Sequence, residues 1–168
     1  MNNRLQCCCF FGHRKINKTD KLKKTVMDAV ENLIVTKNVD TFLFGSKSQF
    51  NDLCYETVTE LKNVYPYIKR IYVRAEYPDA DESYINYLLE RFEYTYFPRK
   101  ILLAGKAAYV ERNYEMIDSS EYCIIYYDEN YTPMKRNTSC FKRKSGTKLA
   151  FDYAVKKCII INTKSMLY

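Results

Sequence analysis

Apolar and polar positions follow two rhythms along this chain. Leu5 to Phe11, Thr41 to Phe44, Tyr122 to Tyr127 and Cys158 to Ile161 are short, almost solidly apolar runs. Runs of this length and character suit strands covered on both faces, the central kind in a parallel sheet. Between them the apolar positions recur at helical spacing. From Thr19 or Asp20, Leu22, Val26, Val30, Leu33 and Ile34 mark a helix that ends near Lys37 and Asn38. Ser46 to Gln49 reads as a capping box that opens a second helix. Its inner face is Phe50, Leu53, Cys54, Val58 and Leu61, and Tyr65-Pro66 stops it. Ile68 to Ala75 alternates as a third strand. Asp79 to Glu82 is an acidic helix start, and Tyr84 to Phe92 carries the helical pattern.

The second half is less regular. Tyr94 to Gly105 fits no single period, and Ile101 to Ala104 reads as a short strand or a buried loop. Ala107 to Ile117 predicts a helix. Residues 129–145 form a polar, basic stretch with Pro133, a long loop of the kind that more often serves function than idles. Ser145-Gly-Thr147 then leads into a last helix. Strands alternating with helices predict an α/β fold: one three-layer α/β/α Rossmann-like sandwich over residues 1–168, with a mainly parallel sheet of about five or more strands.

Composition narrows the partners. The chain has 168 residues, 47% of them hydrophobic, enough for a substantial core. Its net charge of +7 favours anionic partners without by itself meaning nucleic acid. Seven cysteines, at 7, 8, 9, 54, 123, 140 and 158, are odd in number and form no C-x-x-C pair. They read as reduced, buried thiols, so no metal, disulfide framework or resident cofactor is expected. Met1 to Gln6 does not read as a signal peptide, and no apolar run approaches the ~18 residues of a membrane span. A cytoplasmic protein without a membrane partner is the expectation, and a homo-oligomer is compatible with it.

The four glycines locate the candidate chemistry. Gly12 and Gly45 directly follow predicted strands, and Gly146 opens a helix. In open parallel sheets ligands bind outside the carboxyl ends of the strands, where helix N-termini gather. Beside Gly12 stand His13, the only histidine, and Arg14, whose guanidinium stays charged and offers a fork of donors to phosphate. Ser46 follows Gly45. Arg112 and Asn113 share a helix with the apolar Met116 and Ile117. Ser145, Gly146 and Thr147 would present free N–H groups and hydroxyls at a positive helix end, a phosphate site built with little side-chain chemistry. His13, Asp118 and Asp128 are the candidate acid/base groups. The dinucleotide fingerprint, the P-loop, H-E-x-x-H and G-x-S-x-G are all missing.

Phe10-Phe-Gly-His-Arg14 after a first strand, Arg112-Asn-Tyr-Glu-Met-Ile-Asp118, Tyr122-Cys-Ile-Ile-Tyr-Tyr-Asp128 and Ser145-Gly-Thr147 occur in an order that resembles the SLOG superfamily, and its YpsA-like branch most. The resemblance implies a Rossmann-like sheet that binds nucleotides or nucleotide-derived ligands; relatives include the Lonely Guy phosphoribohydrolases and the DNA-processing protein DprA. It matches Gly146 and Thr147 to the family's glycine-rich phosphate loop, Arg112 to the arginine leading its R-x-x-x-M segment, and Gly12 to Arg14 to the first-strand loop. Two departures stand out. The Lonely Guy pattern P-G-G-x-G-T-x-x-E has Lys142, Arg143 and Lys144 in place of its leading glycines here, and its final acid falls at Ala150. Splitting an N-glycosidic bond needs a carboxylate that Ala cannot supply. Asp152, about 200° further round a helix, faces away. That hydrolase activity is therefore not expected.

Three functions are carried forward. The first is a binding or sensor module for a nucleotide or nucleotide-derived phosphate ligand. The second is an enzyme hydrolysing a nucleoside phosphate or NAD-like ligand. The third, suggested by Lys135, Arg136, Lys142 to Lys144 and the 17 tyrosines, is single-stranded nucleic-acid binding.

Overall fold

In the computed structural model of the chain, residues 6–131 and 145–168 are described. Six strands and five helices alternate as β1 (Cys7–Gly12), α1 (Asp20–Lys37), β2 (Thr41–Phe44), α2 (Gln49–Lys62), β3 (Lys69–Val73), α3 (Glu82–Leu89), β4 (Tyr94–Tyr96), α4 (Ala108–Asp118), β5 (Tyr122–Tyr126), α5 (Gly146–Ala154) and β6 (Ile159–Asn162). The strands form one sheet in the order β4-β3-β2-β1-β5-β6, and every pairing is parallel. This is the α/β Rossmann-like sandwich expected from the apolar rhythm.

All six residues of β1 are buried, because β2 and β5 flank it and helices cover both faces. Alternation along a strand splits its side chains between the two faces. Cys8 and Phe10 pack with Leu22, Val26 and Leu33 of α1 and with Phe50 and Val58 of α2. Cys9 and Phe11 pack with Met116 and Ile117 of α4 and with Ala150 and Ala154 of α5. The cysteines at 7, 8, 9, 54 and 123 are buried free thiols. Burial pushes the thiols of Cys8 and Cys54 up, so both stay protonated and inert. Cys140 lies outside the described residues.

Three local expectations are corrected. The N-cap of α2 is Ser48, whose side chain accepts from Asn51 N–H, and not Ser46. Gln49 therefore cannot close a capping box on Ser46; its Oε1 accepts the Ile16 N–H at 2.9 Å, tying the segment after β1 to the start of α2. Ile101 to Ala104 is neither strand nor buried loop. Arg99–Ile101 is a 3₁₀ turn that buries Ile101 and leaves Leu102 and Leu103 exposed. The helical pattern to Phe92 stops early, at Leu89, while Phe92 packs against Phe44, Tyr55 and Tyr72. The extra edge strand, β4, lies inside the stretch that fitted no period.

Among the described residues no helix is long and apolar enough to cross a membrane.

Candidate functional site

Strand order reverses at β1: β2, β3 and β4 lie on one side and β5 and β6 on the other. Such a reversal opens a crevice at the carboxyl ends of the strands. A cavity of about 1140 Å³ occupies this place. Every ligand-binding residue proposed from the sequence lines it: Gly12, His13 and Arg14 beyond β1, Gly45 and Ser46 beyond β2, Arg112 and Asn113 on α4, and Ser145, Gly146 and Thr147 at the start of α5.

Each is placed by a local cause. A Cβ on Gly12 would come within 2.4 Å of Phe50, so the missing side chain lets α2 close against the end of β1. Arg14 is exposed at the rim, and its carbonyl accepts the Gln49 N–H at 2.9 Å. Gly45 makes room for an arginine: a Cβ there would lie 2.8 Å from Nη1 of Arg112 and 3.0 Å from its Cζ. At α5, Ser145 is the N-cap and accepts from Lys148 N–H. That leaves the N–H groups of Gly146 and Thr147 without an acceptor among the described residues.

The electrostatics are one-sided. Among the described residues the lining carries Arg14, Lys15, Lys47, Arg74 and Arg112 against one carboxylate, Glu76. Arg112 is 3% exposed and Arg74 8%. Arg112 donates through Nε to Asn113 Oδ1 at 2.9 Å and through Nη1 to the Val73 carbonyl at 3.1 Å. Arg74 donates through Nη1 to the Tyr77 carbonyl at 2.6 Å, and its buried Nε has no partner among the described residues. No ion pair among the described residues includes either guanidinium. Burial holds Arg112 below the ordinary arginine range, with Tyr72 and Glu76 pulling the other way. A buried charge without an opposite charge is costly, so this pair of arginines is poised for an anion.

His13 is 2% exposed and spans the reversal point: its Nε2 accepts the backbone N–H of Asp128 at 2.9 Å. An accepting Nε2 places the proton on Nδ1. The ring stacks on Tyr131 at 3.9 Å, and Nδ1 has no partner among the described residues. Burial lowers the pKa of His13, while the nearby Asp128 carboxylate opposes that shift. The sign follows: below about pH 6.5 the unfolded imidazole binds a proton that the folded one resists, so stability falls on acidification through that window. Because His13 is the only histidine, its ring nitrogens give one unambiguous ¹⁵N pair. We expect an Nδ1–H tautomer at pH 7 and a midpoint below 6.5; an Nε2–H tautomer would contradict the geometry.

The acid/base candidates separate. His13 lines the cavity but has Nε2 engaged. Asp118 lies at the far end of α4, accepts from Tyr153 Oη at 2.8 Å, and does not line the cavity. Asp128 contributes its backbone to His13, while its carboxylate accepts from Asn130 N–H and faces Lys164. Ala150 is buried in the core against α4, and Asp152 pairs with Lys148 at 2.7 Å. Lys135, Arg136 and Lys142 to Lys144 lie outside the described residues.

Sequence reasoning missed Arg74, Lys47, Tyr72, Tyr84, Tyr109 and Tyr131, all in the lining. For Arg74 a signal existed: it directly follows β3, as Gly12 and Gly45 stand at the ends of β1 and β2. Among the described residues no group of three or more His, Cys, Asp or Glu could hold a metal ion. No protein-family model matches the chain, and no curated protein matches its sequence.

Proposed function

We propose that this protein is a binding module for a nucleotide or nucleotide-derived phosphate ligand, held at the carboxyl edge of the sheet, and that it belongs with the SLOG-type domains its motifs resemble. The observation that carries the reading is the pair of buried arginines, Arg74 and Arg112, without an ion-pair partner among the described residues, in a cavity also lined by Gly146 and Thr147, whose N–H groups have no acceptor among the described residues. Anion binding satisfies both at once. A cavity of about 1140 Å³ exceeds what inorganic phosphate needs, and the rings of Tyr72, Tyr84, Tyr109 and Tyr131 line it. Flat rings beside an anion site suit a nucleobase.

Binding is favoured over hydrolysis on geometric grounds. The one titratable imidazole is engaged through Nε2, Asp118 does not line the cavity, and Glu76 is the only carboxylate in the described lining. The test is a thermal-shift panel of nucleoside mono-, di- and triphosphates and dinucleotides, with inorganic phosphate as control. At a ligand concentration of 100 Kd the folded state gains about 2.7 kcal/mol, a clear rise in melting temperature. A flat response across the panel would defeat the reading. Released base or ribose phosphate after incubation would move the assignment to an enzyme.

A further inference from the structure

Resting on that reading, we propose that the nucleobase of the ligand enters a second cavity beside the phosphate crevice, between α2 and α3, and that Asn51 selects a base carrying an exocyclic amine. This cavity, of about 550 Å³, shares Arg14, Lys47, Tyr72 and Tyr84 with the larger one, so the two adjoin. Tyr72 shows how closely. Its phenol interacts with the Arg112 guanidinium, while its ring centroid lies 5.2 Å from that of Phe92, in the wall of the second cavity. One tyrosine side chain therefore bridges the two places, and a nucleoside monophosphate has the length to do the same.

The two cavities offer unlike chemistry. The larger presents the buried Arg74 and Arg112, whereas the second has a floor of buried Phe44, Leu88 and Phe92. A phosphate on that floor would lose its water and find no partner, a cost that a flat base does not carry. The base therefore points inward, past Tyr87. Asn51 also lines this cavity and is 3% exposed. Its Nδ2 donates to Ser48 Oγ at 3.2 Å and to the Phe10 carbonyl at 3.5 Å. A carbonyl only accepts, so these contacts orient the amide and leave Oδ1 as its free end. Oδ1 is buried without a partner among the described residues. A phosphate oxygen, itself an acceptor, cannot meet that need; the exocyclic amine of adenine, guanine or cytosine can. Asp52 is the one carboxylate in the described lining of this cavity, but it is exposed and hydrated, so it discriminates less.

The experiment is a titration of the intact chain with matched 5′-monophosphates: AMP and GMP against IMP, and CMP against UMP. In the series that binds, an amino base is expected to bind about tenfold or more tightly than its deaminated counterpart, because a buried acceptor left unpaired penalises the analogue lacking the donor. Asn51→Leu should lower the amino nucleotide to the affinity of the deaminated one and leave the latter unchanged. Tyr87→Ala, at a position 54% exposed, should weaken the amino nucleotide severalfold without affecting ribose 5-phosphate. Equal affinities within each series, a preference for the deaminated base, or an undiminished preference in Asn51→Leu would each overturn the base assignment while leaving nucleotide binding standing. If Asn51→Leu folds poorly, Tyr87→Ala still decides the location, since unchanged nucleotide affinity there would overturn it. No binding by any nucleotide would overturn both this inference and the reading beneath it.

Discussion

Arg112→Met is expected to abolish nucleotide binding while leaving the protein folded. In the free protein the Arg112 guanidinium is desolvated, 3% exposed and without an ion pair among the described residues, so its charge contributes little to folding. Its two hydrogen bonds, to Asn113 Oδ1 and the Val73 carbonyl, are donated by a charged group and are worth about 3–6 kcal/mol together. Removing a buried charge returns a comparable amount, and Met keeps the unbranched volume beside Met116 and Gly45. The net change in stability should stay within about 1 kcal/mol by that offset. Binding responds quite differently. Truncating one partner of a buried, hydrogen-bonded charge pair costs about 2–5 kcal/mol, which is roughly thirty-fold to several thousand-fold in Kd. Melting curves with and without the best nucleotide of the panel separate the two effects. If the free variant loses several degrees, Arg112 is a structural tie between α4 and β3; if ligand stabilisation persists, it is not an anion receptor.

How much of this was legible follows from which forces were local. The solid apolar runs of β1, β2 and β5 announced central strands, because burial on both faces removes polar alternation. β4 stayed hidden for the converse reason: it has three residues at the sheet edge, and Tyr94 is exposed, so no pattern survives. The capping box read at Ser46 gave way to a cap at Ser48, as the Arg14 carbonyl and the Ile16 N–H, from another part of the chain, engage Gln49. His13 showed no acidic partner in the sequence because its partner is a backbone N–H 115 residues away. Residue type carries no trace of that.

The site was more legible than its reach. Turn glycines, an N-cap serine and an arginine on an apolar helix are local signals, and all of them line one cavity. What periodicity could not reveal is strand order, which sets β3 beside β2 and so brings Arg74 to the same edge. The missing link is topological. A charged residue directly after a partly buried strand is read as exposed strand until neighbouring strands place its end beside a helix that also carries a charge.

Gly146→Asp is expected to produce the second large loss, and by the opposite electrostatic route. Gly146 is the first residue of α5, its φ is not positive, and a Cβ built there meets nothing within 4 Å among the described residues. Against the described residues the position therefore has room for a side chain in the free protein. A carboxylate in the first helical turn complements the helix dipole, worth about 0.3–1 kcal/mol, and replacing Gly in a helix adds a few tenths more. The free variant should melt at or slightly above the wild-type temperature. For a phosphate the same carboxylate competes for the N–H groups of residues 146 and 147 and places like charges together, a penalty of several kcal/mol. Affinity should fall by about two orders of magnitude or more on that account, and ligand-induced stabilisation should vanish. Gly146→Ala is the control: it adds a methyl group to open space without charge, so binding should persist within about threefold, an allowance below 1 kcal/mol. Were Ala to lose as much as Asp, the cause would be the backbone freedom of Gly. Were Asp to bind like wild type, the phosphate would lie elsewhere in the cavity and the two arginines alone would hold the anion.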